Sequence, residues 1–406
     1  MDEAALEDAD EQEAGEGGPA ARPQLLQEYY TEQRLKRVCD TVFRGSIVSS
    51  TGSVPKTPVS PADLAEKSIV DDVEPASHCN IENWEIDYWS LTGEEEFNLL
   101  LQGLRVCGSL AEMVSSKRTL FKFFTAVREE YHPENAYHNW QHALSTMHFA
   151  CKMVQSAGLM DHLNRTDMFT LLIAALCHDC DHRGRNNNFE VVSRSELALR
   201  YNDSSVLENH HCARAFEIAM QNGGDSQFNI FAGLSSEVFG HIRKLMIAGI
   251  LSTDMIHHGQ HVQLVQKFEL QEEKTEHQSQ FLIELVLHAA DISNQLMPPA
   301  SAVRWGKAIA DEFTAQVEDE KLHGLPVTKF MDGLTNPSVA AKSQVGFIDF
   351  VVQPFFGPMF RIFPGLQPMK ENLEENRKAS SAIVEGARRL KIEAGELTSP
   401  PTSPMG

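Results

Sequence analysis

Apolar residues recur along most of this chain at intervals of three and four, the spacing of helices with one buried face. The pattern dominates from Trp84 to about residue 390. Val, Ile and Thr alternate with polar residues over no long run, and no Asn-Gly turn separates two apolar runs, so strands and hairpins are not expected. Residues suited to helix N-caps precede several runs: Ser115-Ser116 before the run from Leu120, Thr166-Asp167 before 168–177, and Ser235-Ser236-Glu237 before the run through Ile250. The expected fold is all-α. Two apolar runs end on ionisable groups. Phe169 to Leu176 reads as a buried helix and leads into His178, Asp179, Asp181 and His182; Leu287-His288-Ala289-Ala290 ends on Asp291.

Burying several ionisable groups beside an apolar helix is costly unless they are paired or hold a metal. Imidazole beside carboxylate suits a borderline cation such as zinc, and a carboxylate also bridges to a harder one such as magnesium. A solvated helix end is the plainer alternative. Upstream, His138 and His142 are four apart and share one helical face, although incidental histidines are the alternative in a chain that has 17. One His, then His-Asp, then a distant Asp is the ligand order of HD-type metal-dependent phosphohydrolases.

Charge and composition narrow the partners. Of 406 residues, 42% are hydrophobic, enough for a sizeable core. The net charge of −22 argues against nucleic acid and anionic membrane surfaces as partners. Residues 1–18 hold eight Asp or Glu and no Lys or Arg, a solvated acidic tail. Pro23 to Arg44 carries Leu25, Leu26, Tyr29, Tyr30, Leu35, Val38 and Val42 at near-helical spacing. This predicts a short amphipathic helix that packs on the rest of the chain or on a second copy, giving a homodimer, or stays partly formed. Residues 45–62, rich in Ser, Thr, Pro and Gly, read as a flexible linker in which Thr57-Pro58 and Ser60-Pro61 are candidate phosphorylation sites. Residues 391–406 read as a disordered tail. No basic and apolar leader opens the chain, and no run approaches the roughly 20 apolar residues of a membrane span. Seven scattered cysteines fit a reducing compartment, so a soluble cytoplasmic protein is expected. Cys177 and Cys180 lack the second pair of a zinc ribbon and read as small residues flanking the His-Asp pair.

Six segments in order carry a more specific resemblance. They are Tyr137-His138-Asn139 with His142; His178-Asp179 with Asp181-His182; Tyr201-Asn202-Asp203 leading to Glu208-Asn209-His210-His211; Ser252-Thr253-Asp254-Met255; Asp291-Ile292-Ser293-Asn294; and Ser343-Gln344-Val345-Gly346-Phe347. Together they resemble the catalytic domain of class I 3′,5′-cyclic-nucleotide phosphodiesterases over roughly residues 80 to 385. The resemblance implies a bundle of about sixteen helices spanning 80–390, with metals at the floor of a deep pocket. It implies hydrolysis of cAMP or cGMP to the 5′-monophosphate, with a weak lean to cAMP or to both.

The resemblance also implies roles. His142, His178, Asp179 and Asp291 would hold zinc, and a second ion, magnesium or manganese, would share Asp179. His182, Glu208, His211 and Thr253 would order the waters around it. His138 would protonate the O3′ leaving group, with Glu208 orienting it, although Glu208 also suits an ordinary buried ion pair. Gln344 would pair with the purine edge and Phe347 stack on the base, opposite Ile309 and Phe313, which equally suit plain helix core. Tyr137 and Asn294 would lie beside the substrate. Arg183 stands where relatives have proline, facing solvent or adding to phosphate attraction. A non-catalytic cyclic-nucleotide scaffold and another HD-type phosphohydrolase are the alternatives.

Overall fold

The computed structural model describes residues 78–114, 116–221, 227–268, 276–394 and 396. The acidic tail, the 23–44 segment and the 45–62 linker lie outside them. The described residues contain no strand. Fifteen α-helices follow one another among them. The first five are α1 (Gly93–Val106), α2 (Leu110–Met113), α3 (Lys117–Glu129), α4 (Trp140–Ser156) and α5 (Arg165–Cys177). Next come α6 (Asn187–Val192), α7 (Glu196–Tyr201), α8 (Val206–Ala219), α9 (Ser236–Leu251) and α10 (His258–Lys267). The last are α11 (Glu276–Asp291), α12 (Pro299–Leu322), α13 (Pro337–Phe347), α14 (Gln353–Ile362) and α15 (Gln367–Glu393).

Helices α4, α5, α9 and α11 pack on one another at the centre. Helix α5 is apolar all round, and residues 167–177 are all buried, as that composition demands. Its cap is Asn164 rather than Thr166-Asp167. The Asn164 side chain accepts from Asp167 N at 2.9 Å, and the Asp167 carboxylate accepts from Asn164 N at 3.2 Å, a reciprocal pair that satisfies two free N–H groups. Asp167 also accepts from Ser279 Oγ at 2.9 Å and meets His241 Nε2 at 2.8 Å, tying α5 to α11 and α9. Helix α9 approaches α11 closely at Gly249, where a Cβ would come within 3.1 Å of Ile283 and 3.2 Å of Leu287. Ser116 and Ser235 cap α3 and α9 as their spacing predicts.

Three features position the site. Helices α5 and α11 end at His178 and Asp291, and helix carboxyl ends favour a cation. Asn139 caps α4 by accepting from His142 N at 3.2 Å, while its Nδ2 donates to the carbonyls of Asn135 and Ala136 and anchors the preceding turn. Helix α12 presents Trp305, Ile309, the adjacent pair Glu312 and Phe313, and Gln316, about one helical turn between successive groups, along one face of the pocket. Two differences from the sequence reading arise at the C-terminal end. Residues 337–362 form one continuous helix long and apolar enough, by length and composition, to cross a membrane. Ile348, Val352, Phe355, Phe356 and Met359 are buried on it, while Phe350 and Val339 are exposed. Helix α15 runs to Glu393, carrying regular structure past residue 390.

Candidate active site

Four ligand-type side chains from three helices meet at one point. The donor atoms of His142, His178, Asp179 and Asp291 all lie within 4.8 Å of one another. The two Nε2 atoms are 3.2 Å apart; His142 Nε2 is 3.0 Å from Asp291 Oδ1, and His178 Nε2 is 3.1 Å from Asp179 Oδ2. His178 Nδ1–H donates to the Ala175 carbonyl at 2.8 Å, which leaves the Nε2 lone pair facing the cluster. Asp179 Oδ2 and His142 Nδ1 are buried without a hydrogen-bond partner. Burial opposes ionisation of both carboxyls, but the neighbouring imidazoles prevail and hold Asp179 and Asp291 well below the usual carboxylate range. Two carboxylates and two imidazoles with converging lone pairs fit a borderline divalent cation.

His138 sits beside this cluster, at the N-terminal entrance to α4. Its Nδ1–H donates to Glu312 Oε1, and Glu312 Oε2 accepts from the backbone N of Tyr137 at 2.9 Å and of His138 at 3.0 Å. Burial alone would lower the His138 pKa; the Glu312 carboxylate outweighs it and holds the imidazole up at about 9. This corrects the expectation for Glu208. Its carboxylate instead accepts from Asn187 Nδ2 at 2.9 and 3.1 Å, and burial, reinforced by Asp254, pushes it up to about 8. Helix α8 carries Glu208 to the pocket wall, whereas α12 brings Glu312 to His138.

His182 stacks on His138 with ring centroids 3.9 Å apart, and its Nδ1 accepts from Gly184 N at 3.0 Å. His211 Nδ1–H donates to the Cys180 carbonyl at 2.6 Å and turns Nε2 to 3.6 Å from Asp179 Oδ1. Thr253 lines the same pocket and donates its hydroxyl to the Ile250 carbonyl at 2.8 Å. Asp181 turns away at φ 59°, bracketed by His132 Nε2 at 2.6 Å and His210 Nε2 at 2.9 Å. Arg183 lines a separate cavity with His132, Asp181 and His210 rather than this pocket.

The cluster opens into a cavity of about 740 Å³. Its upper walls carry Ile309 and Phe313 from α12 and Gln344 and Phe347 from α13. Asn294 Nδ2 donates to the Tyr137 hydroxyl, so these two side chains fix each other. Gln344 Oε1 accepts from Gln295 Nε2 at 2.6 Å. Residues 137–373 match the family described as PDEase_I, 3'5'-cyclic nucleotide phosphodiesterase. The chain belongs to that family. It is 34% identical over 322 residues to the mouse (Mus musculus) high affinity cGMP-specific 3',5'-cyclic phosphodiesterase 9A, covering 77% of this chain and 58% of that protein. It is 36% identical over 286 residues to the Drosophila melanogaster dual specificity calcium/calmodulin-dependent 3',5'-cyclic nucleotide phosphodiesterase 1, covering 69% of this chain and 33% of that one. The match therefore spans less than two thirds of either relative. The crystal structure of the phosphodiesterase domain of Salpingoeca rosetta rhodopsin phosphodiesterase is similar, with TM-score 0.73 and 30% identity over 82% of this chain and 98% of that one.

The candidate ligands, the candidate water-ordering residues and the residues expected beside the substrate meet at this one pocket, whereas Asp181 of the His178–His182 segment turns away and Glu208 does not touch His138. Glu312 was not singled out. Its signal lies in α12: Ile309, Glu312 and Phe313 fall three to four apart on one face, so any reading that puts Ile309 and Phe313 in the pocket puts Glu312 there too.

Proposed function

We propose that this chain hydrolyses 3′,5′-cyclic nucleotides, cAMP or cGMP, to 5′-monophosphates, with residues 80–390 as the catalytic unit. The observation that carries the reading is one pocket holding an ion-competent His/Asp cluster, an imidazole backed by a carboxylate, and an amide and an aromatic ring on its upper wall. Asp179, Asp254, Asp291 and Glu312 all line it, so an anionic phosphodiester needs their charge neutralised before it enters. Zinc at His142, His178, Asp179 and Asp291, with magnesium or manganese sharing Asp179, would neutralise the phosphoryl oxygens and lower the pKa of bound water.

The remaining work falls to the side chains. Water oxygen attacks phosphorus and gives up a proton to solvent, the P–O3′ bond breaks with its electron pair on O3′, and that oxygen takes the proton carried by His138, which solvent then restores. Glu312 keeps that imidazole protonated and oriented. His182, Glu208, His211 and Thr253 order water around the second ion. Phe347 stacks on the base against Ile309 and Phe313, and Gln344 pairs with its edge; an amide is both donor and acceptor, so it suits either purine. Tyr137 and Asn294 shape the wall between base and ions. Six buried, free cysteines among the described residues support a reducing, cytoplasmic setting. A homodimer is part of the proposal.

The test is hydrolysis of cAMP and cGMP side by side by the full chain with magnesium. Formation of 5′-monophosphate is expected from at least one. Phosphate release from a 5′-monophosphate instead would make the chain another type of HD phosphohydrolase, and binding without turnover would make it a scaffold. Gln344→Ala is expected to raise KM roughly tenfold, the worth of about 1.4 kcal/mol of lost hydrogen bonding to the base, with little change in kcat. An unchanged KM would remove Gln344 from base recognition.

A further inference from the structure

Away from the pocket, α10 and α11 bring together three histidines that the proposed hydrolysis does not use. His258 and His261 lie three apart on α10 and share a face, and His288 meets them from α11. His258 Nδ1 and His288 Nε2 are 3.0 Å apart. The rings of His261 and His288 lie 4.8 Å apart between centroids, and those of His258 and His288 lie 5.3 Å apart. Phe355 of α14 packs against His258 and His288 and walls the cluster on one side.

The cluster is polar, enclosed and under-satisfied. His288 is fully buried and His261 is 5% exposed. His258 Nε2, both nitrogens of His261 and Nδ1 of His288 have no well-formed hydrogen bond. The main chain of Ser252 offers His261 and His288 only weak hydrogen bonding, and that of Val351 offers the same to His258. Buried polar atoms without partners are few in native proteins and call for a ligand or an ion. Burial also pushes all three imidazoles below their ordinary range, His288 down to about 3, which leaves lone pairs free at neutral pH.

We propose that His258, His261 and His288 form a second transition-metal site, distinct from the pocket and selective for zinc, copper(II) or nickel(II). Zinc–imidazole bonds of about 2.0–2.1 Å in a tetrahedral site set ligand nitrogens roughly 3.3 Å apart, close to the observed pair. The His261 nitrogens do not converge with that pair as they stand, so its ring would have to turn to bring in a third nitrogen, and half-buried His258 would leave the fourth position to water. An all-imidazole set disfavours magnesium and calcium, which take oxygen ligands. The site therefore discriminates against the harder ion the pocket would use. An ion here would clamp α10 to α11 one helical turn before Asp291.

Zinc content after equilibrium dialysis of the full chain, His261→Gln and His258→Gln against micromolar zinc tests this directly. Each variant is expected to hold one zinc fewer than the unaltered chain while keeping its helical circular dichroism and magnesium-supported turnover. Cobalt(II) added to the metal-free Asp291→Ala chain is expected to develop visible d–d bands that are lost when His261→Gln is added. Because the count is a difference between chains, it does not depend on hydrolysis being observed. Equal zinc in all three chains, or cobalt bands that survive His261→Gln, overturns the site.

Discussion

Asp291→Ala is expected to lower kcat/KM for cyclic-nucleotide hydrolysis at least about 1,000-fold, because charge neutralisation by a bound ion is worth several kcal/mol and each ~1.4 kcal/mol is tenfold in rate. The argument is local. Asp291 Oδ1 lies 3.0 Å from His142 Nε2 and 3.3 Å from His178 Nε2, so it closes one side of the cluster. Alanine opens that side and leaves Asp179 as the cluster's only carboxylate. The variant should also hold less zinc in the pocket than the unaltered chain. Its helical content should be retained, since Asp291 is the last residue of α11 and the apolar contacts of that helix precede it. Full activity with full zinc content would mean that the pocket ion is held elsewhere, and the ligand assignment would fall.

Glu312→Gln is expected to move the alkaline limb of the kcat/KM profile to lower pH by about one unit or more, the shift typical of losing an opposite charge at contact distance. The sign follows from the opposing forces on His138. Burial disfavours its charged form, and Glu312 holds its pKa at about 9 against that burial. Glutamine keeps an oxygen for the backbone N–H groups of Tyr137 and His138 but removes the charge. The proton is then lost at lower pH, and a general acid that has lost its proton cannot supply the leaving oxygen. At pH 8 a fall of one unit, from about 9 to about 8, should lower the rate about twofold, and a fall of two units about tenfold, because the rate follows the protonated fraction of His138. A divalent ion in the pocket adds the same positive field to both proteins, so the difference between them stands. Glu312→Asp should recover part of the shift. An unmoved limb in Glu312→Gln would show that another group sets the protonation of His138.

Most of the cluster was legible because its members sit in short local motifs at helix ends. His138 and His142 share a helical face, His178 and Asp179 follow an all-apolar helix, and Asp291 ends another. Glu312 was not legible in that way. Its partner is 174 positions away in sequence, and no motif surrounds it. Glu208 was attractive because it sits in a motif, yet α8 directs it to Asn187. The helical fold followed from periodicity, while the exact cap did not: Asn164 lies before Thr166-Asp167, and either could start α5 by composition. The three-histidine cluster left no local trace, because His258 and His261 lie 30 and 27 positions before His288, on the preceding helix.

Helix α12 couples two tasks that are otherwise separate. Phe313, which the proposed function places beside the base, follows Glu312, which pairs with His138, in a single uninterrupted helix. Two adjacent residues of a rigid rod cannot shift independently. A bulky ligand that wedges Phe313 outward therefore carries Glu312 away from His138 as well. Such a compound would disarm the chemistry while touching only the base-binding end, and variants enlarged at that end for a wider base would carry a turnover defect with them.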